Sequence, residues 1–207
     1  MQIGIKPNLV SPSEASWGAT THPEIVAGII EYLQENGYGN IAILEGSWVG
    51  DKTTEAYEVC GYRELTEKYQ VPFWDMQKDK GIERDCRGMK LNVCERAANI
   101  DFLINVPVLK GHCQTKITCA LKNMKGLIPN TEKRHFHAMG LHEPIAHLNA
   151  GLHQDFVVVD NILRGSGFRG WRKSGSDEPY LGGDGSGTDR FLCMSDHALY
   201  NERCTVY

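Results

Sequence analysis

Residues 102–126 read FLINVPVLKGHCQTKITCALKNMKG, and the order of elements within this run decides the fold class. Residues 102–106 are an apolar run of strand length stopped by Pro107, and residues 115–124 place apolar side chains at helical spacing. Strand, loop and helix therefore follow one another. The same unit recurs on both sides. Residues 3–5 form a strand running into Lys6-Pro7-Asn8, where Pro7, lacking an amide hydrogen, is expected to stop the ladder. Ile25, Val26, Ile29, Ile30 and Leu33 then recur at helical spacing, with Thr21 or His22 as cap, Pro23 in the first turn and Gly37 at the end. Residues 41–44 make a second strand that exits into Glu45-Gly46-Ser47. Residues 55–69 are helical and broken at Gly61, 71–74 form a third strand, 92–98 a short helix, and 156–159 a fifth strand ending in Asp160. Alternating strands and helices predict an α/β fold, a mainly parallel sheet with helices on both faces. Ligands of such sheets bind beyond the carboxyl ends of the strands, where Lys6, Glu45, Asn105 and Asp160 all fall.

The chain has 207 residues, 41% of them hydrophobic and 23% charged. That suits one domain with its own core, without low-complexity tracts or repeats. A formal net charge of -4 lacks the basic excess by which nucleic-acid binding first shows, so any anion site must be local. Residues 1–20 hold no basic-then-apolar leader, and no run approaches the roughly 18 to 20 apolar residues of a membrane span. We expect a cytoplasmic protein with neither nucleic acid nor membrane as partner. The seven cysteines (Cys60, Cys86, Cys94, Cys113, Cys119, Cys193 and Cys204) are odd in number and include no CxxC pair. Reduced thiols are expected, without a disulfide framework, a zinc ribbon or an iron-sulfur motif.

Charge is distributed unevenly. Residues 106–134 contain six lysines or arginines and a single acid, Glu132, which predicts a positive field suited to a phosphate or carboxylate. Lys110 leaves a strand end and Lys122 sits in an apolar segment beside Asn123, so these two are the cations expected at a ligand. Lys133 is expected on the solvated surface, and its removal is expected to matter less to anion binding than that of Lys110. Five of the eight histidines lie at positions 135–153, yet their spacings match no metal site. His112, with an ordinary pKa near ~6.5, is the side chain best suited to move a proton at neutral pH. The expected catalytic groups are His112 and Lys110, and the expected substrate-binding groups are Lys6, Asn8, Asn105, Lys122 and Asn123. His22 and Glu45 are a candidate pair of ligands for a divalent metal.

Lys6-Pro7-Asn8, Thr21-His22-Pro23-Glu24, Glu45-Gly46, Ile104-Asn105-Val106-Pro107, Leu109-Lys110-Gly111-His112 and Ala120-Leu121-Lys122-Asn123-Met124-Lys125-Gly126 resemble, in order and spacing, the family known as domain of unknown function 362. The resemblance spans residues 3–162. It implies an α/β fold, no established reaction, and relatives that sometimes carry a separate ferredoxin-like module whose cysteine runs this chain lacks. A fainter similarity, of fold pattern only, is to the amino-terminal part of nickel-dependent lactate racemases. Compared with the family, the chain starts almost inside its first strand, so sequence before Met1 is expected to be missing and the domain to be incomplete.

Residues 163–207 hold eight of the 22 glycines, lose the alternation of strands and helices, and depart from the family. Moving the reading frame one nucleotide forward from Leu163 permits a text containing GGNP that resembles the family's own continuation. We read 1–162 as the domain and 163–207 as a glycine-rich tail, consistent with a frameshift. The tail is expected to pack loosely and to leave the edge of the strand at 156–159 open. The function expected is that of a small-molecule enzyme binding an anionic substrate, with a divalent metal as an optional helper. The alternative is a noncatalytic accessory that binds a protein partner or a ferredoxin-like iron-sulfur carrier through the same basic face.

Overall fold

A computed structural model describes residues 1–162 and 192–194. In chain order the elements are β1 (Ile3–Pro7), α1 (Pro23–Glu35), β2 (Ile41–Glu45), α2 (Thr53–Val59), α3 (Tyr62–Tyr69), β3 (Phe73–Asp75), β4 (Gly81–Cys86), β5 (Met89–Cys94) and α4 (Glu95–Ala98). There follow β6 (Phe102–Val106), β7 (Lys110–His112), β8 (Lys116–Thr118), α5 (Ala120–Asn123), α6 (Asn130–Met139), α7 (His142–Gly151), β9 (Phe156–Val158) and β10 (Leu192–Met194). The main sheet has the order β10-β9-β6-β1-β2-β3. Its pairings are parallel from β9 to β3, and β10 joins β9 antiparallel. The α/β architecture with a largely parallel sheet is therefore the one that the alternation predicts.

Side-chain alternation along the strands divides the core between the two faces. Ile3, Ile5, Ile41, Ile43, Ile104 and Val106 pack against α1, α2 and α3. Ala42, Leu44 and Leu103 point the other way, into a second cluster with the β4–β5 hairpin, Phe136 and α7. Strand order places β1 at the centre, with β2 and β3 on one side and β6 and β9 on the other. The direction of winding reverses between β1 and β6, the switch point at which an open parallel sheet leaves a crevice at its carboxyl edge.

Three local expectations are corrected. The first strand does not stop at Ile5 but runs on to Pro7, its last residue, because the ladder to β6 continues to a Pro7–Val106 pair while the ladder to β2 stops at Ile5–Ile43. Residues 92–94 belong to strand β5, where Leu91 and Val93 are buried and Lys90 and Asn92 exposed, a period of two, and the helix begins only at Glu95. Residues 115–118 are not helical. Lys116 takes a left-handed φ of 65°, which interrupts a helix, and β8 pairs instead with β7. The tail expectation, with its reading frame, lies outside the described residues except for Leu192–Met194, which cover the edge of β9 that was expected to stay open.

Candidate functional site

Lys6 and Asn105 are register partners on β1 and β6, so their side chains leave the sheet on the same face at the switch point. Both are fully buried. Lys6 Nζ donates to Glu45 Oε2 at 2.7 Å, to the Pro7 carbonyl at 2.6 Å and to Asn123 Oδ1 at 3.4 Å. Glu45, at the end of β2, also accepts from Leu9 N through Oε2 and from Gly46 N through Oε1, each at 2.7 Å. Burial pulls the Lys6 pKa down, and the Glu45 charge pulls it back up. Asn123, at the end of α5, donates its amide to Asn105 Oδ1 at 2.7 Å and to the Lys6 and Pro7 carbonyls. Asn105 in turn donates to the Ala120 carbonyl and to Gln154 Oε1. Four of the residues singled out in the sequence thus form one closed polar network that fixes α5 across the strand ends.

Gly126 explains how the chain comes so close. A Cβ there would meet Glu45 Oε1 and lie 2.6 Å from Lys6 Cε, so only hydrogen leaves room for the ion pair.

Beside this network lies a group of cations. Lys110 Nζ donates to Asn8 Oδ1 at 3.4 Å and to the Ala19 carbonyl, and Asn8 is held through its own N–H by Thr21 Oγ1. Burial, then the Lys122 charge, push Lys110 down to about 7. Lys122 is pushed down to about 8 by burial. Lys125, to which the sequence pattern assigns no role, is pushed down to about 7 by burial and by Lys122 and Lys133. Among the described residues no carboxylate comes within ion-pairing distance of Lys110, Lys122 or Lys125.

Lys133 is not the surface residue expected. It is 5% exposed and donates to the Gly46 and Ser47 carbonyls at 2.9 and 2.8 Å, closing the end of β2. Its pKa is pushed down to about 8 by burial, against the pull of Glu45. Nothing in the local run of basic residues distinguishes it, because the carbonyls that hold it come from another strand end.

His112 accepts at Nδ1 from Gln114 N and Thr115 N, at 3.1 and 3.2 Å. Burial, followed by the charges of Lys122, Lys125 and Lys110, lowers its pKa to about 4. The ring is neutral at pH 7 with its proton on Nε2, a hydrogen-bond donor rather than the proton shuttle suggested by an ordinary pKa. His22 turns Nδ1 to Asp160 Oδ2 at 2.8 Å, and Asp160 also accepts from the His22 backbone N–H at the start of α1. His22 and Glu45 therefore face different partners. Both Glu45 oxygens are engaged in these hydrogen bonds, and among the described residues no group of three or more His, Cys, Asp or Glu is placed to hold a metal.

The sequence pattern described as domain of unknown function DUF362 matches residues 3–184. The chain belongs to this family. The match continues past Ile162 into the segment read from the sequence as departing from the family. Among curated proteins, the thylakoid-associated protein sll1697 of Synechocystis sp. is 25% identical over 172 residues, covering 80% of this chain and 53% of that protein. The chain thus spans about half the length of that relative. Of solved structures, the lactate racemase apoprotein from Thermoanaerobacterium thermosaccharolyticum is similar, with a TM-score of 0.51 and 16% identity, over 76% of this chain and 42% of that one. At that identity the likeness is one of fold, and it agrees with the similarity seen in the sequence. Among the described residues no helix is long and apolar enough to cross a membrane.

Proposed function

We propose that this DUF362 domain binds an anionic small molecule, a carboxylate or a phosphate, at the carboxyl edge of its sheet, as part of an enzyme. The observation that carries this reading is the gathering of Lys110, Lys122 and Lys125 without a carboxylate partner beside the buried Lys6–Glu45 frame. Mutual repulsion and burial make this arrangement costly without a counter-charge, and an anion supplies one. Lys6, Asn8, Asn105 and Asn123 hold the geometry from inside, while Lys110 and Lys122 meet the anion and His112 offers its Nε2–H to a second oxygen. Fixed donors of this kind favour charge developing on a substrate oxygen. The fold shared with a racemase supports an enzymatic role, and the basic face is equally open to the reading as an accessory that binds a partner.

Calorimetric titration with inorganic phosphate and with acetate at pH 6.5 and low salt tests the reading. Lys110→Ala and Lys122→Ala should each weaken binding at least tenfold, and Lys116→Ala, on the exposed hairpin, should change it little. Equal losses in all three would mean a diffuse basic surface and no site.

A further inference from the structure

Helix α5 has two sides. Asn123, through its side chain, and Ala120, through its backbone carbonyl, meet Asn105 in the strand-end network, and Ala120 also borders the groove on the other side. Leu121 and Lys122 face away from it, into a groove of about 290 Å³ between β8, α5 and α7. The volume is close to the lower bound of ~300 Å³ for small-molecule sites. Ile117, Leu121, Ile145 and Ala146 line its apolar part, and Lys122 and His142 are the basic groups on its walls. Among the described residues no aspartate or glutamate lines it. Ile117 and Leu121 are 48% and 41% exposed on its rim. Lys122 is at once the inner wall of this groove and a member of the cation group with Lys110 and His112.

We infer that the groove receives the apolar body of the ligand, so that the site selects an amphiphilic small-molecule anion with its charged head at Lys122 and its hydrocarbon part against Ile117, Leu121 and Ile145. The inference rests on the anion reading above and narrows it. A concave pocket with apolar walls and one cationic wall complements a monoanion carrying a short aliphatic or aromatic tail. A strongly hydrated anion such as free phosphate would leave the apolar walls uncovered.

The test uses the full chain and monomeric probes: acetate, butyrate, hexanoate and octanoate below micelle formation, with 1-hexanol as neutral control. Affinity should rise about fourfold for each methylene buried, the equivalent of ~0.8 kcal/mol per CH₂. Leu121→Gln and Ile117→Ser, both at exposed positions and therefore tolerated by the fold, should flatten that rise. Lys122→Gln should remove the preference for hexanoate over hexanol. Anions bound with no dependence on chain length overturn this inference and leave the anion site standing. Hexanol bound as tightly as hexanoate by the unaltered protein overturns both. Attachment to anionic lipid vesicles without uptake of monomeric hexanoate overturns the assignment to a small molecule.

Discussion

Lys6 Nζ stands 2.7 Å from Glu45 Oε2, and both side chains are sealed from solvent between β1, β2 and the turn that follows α5. Removing one partner leaves a buried charge without its counter-ion. Lys6→Met should destabilise the fold by about 3–5 kcal/mol, whereas adding Glu45→Gln, which keeps an acceptor for neighbouring N–H groups, should recover part of the loss. Urea denaturation of the two variants measures this. A double variant no more stable than the single one would show that the pair matters only as packing.

Gly126 tests the same pair sterically. Gly126→Ala drives a methyl group into Lys6 and Glu45, whereas Gly111→Ala meets nothing within 4 Å. The first should cost about 1–3 kcal/mol as an overpacked site and the second should stay within about 0.5 kcal/mol. Comparable denaturation midpoints for the two alanine variants would contradict the close approach.

The lysine group should make stability depend on pH in a defined direction. Lys110 and Lys125 titrate near 7, and Lys122 and Lys133 near 8, in place of 10.5. The unfolded chain therefore holds more protons from about pH 7 to about pH 10.5, and this contribution to stability rises with pH across that window. Lys122→Gln removes one of the charges permanently. Its thermal midpoint should exceed that of the unaltered protein most at about pH 6 and the gap should narrow by about pH 9. A gap independent of pH would mean that Lys122 is solvated.

Nitrogen-detected NMR should find His112 as the Nε2–H tautomer, titrating near 4 rather than at the ordinary 6.5. A midpoint near neutrality would restore the proton-shuttle role and remove the fixed donor from the proposed site.

Much of the central sheet was legible because β1, β2, β6 and β9 are short, mostly apolar runs rich in isoleucine and valine, with Lys6, Glu45, Asn105 and Asp160 at or near their carboxyl ends. Strand order then places Lys6 and Asn105 side by side without further information. Hairpin β4–β5 was missed because Gly81–Cys86 is mostly exposed and charged, and it is recognisable mainly through its pairing with β5. Helices α6 and α7 were hidden by their histidines, which drew attention to metal binding and away from the buried Phe136, Ile145 and Leu148. The burial of Lys133 has no local signal, since it depends on carbonyls 86 and 87 residues away.

The hydrogen bonds that close the site join partners far apart in the chain: Lys6 to Asn123 across 117 residues and His22 to Asp160 across 138. During synthesis at about 5–20 residues per second, Lys6 leaves the ribosome roughly 6 to 23 seconds before Asn123 does. Until then β1 has neither the asparagine that locks it nor, for most of that interval, the β6 strand at its flank. The nascent chain must carry an apolar strand with an unpaired edge through that interval, so its yield in cells should depend on translation speed and on holding chaperones more than the stability of the finished domain would suggest.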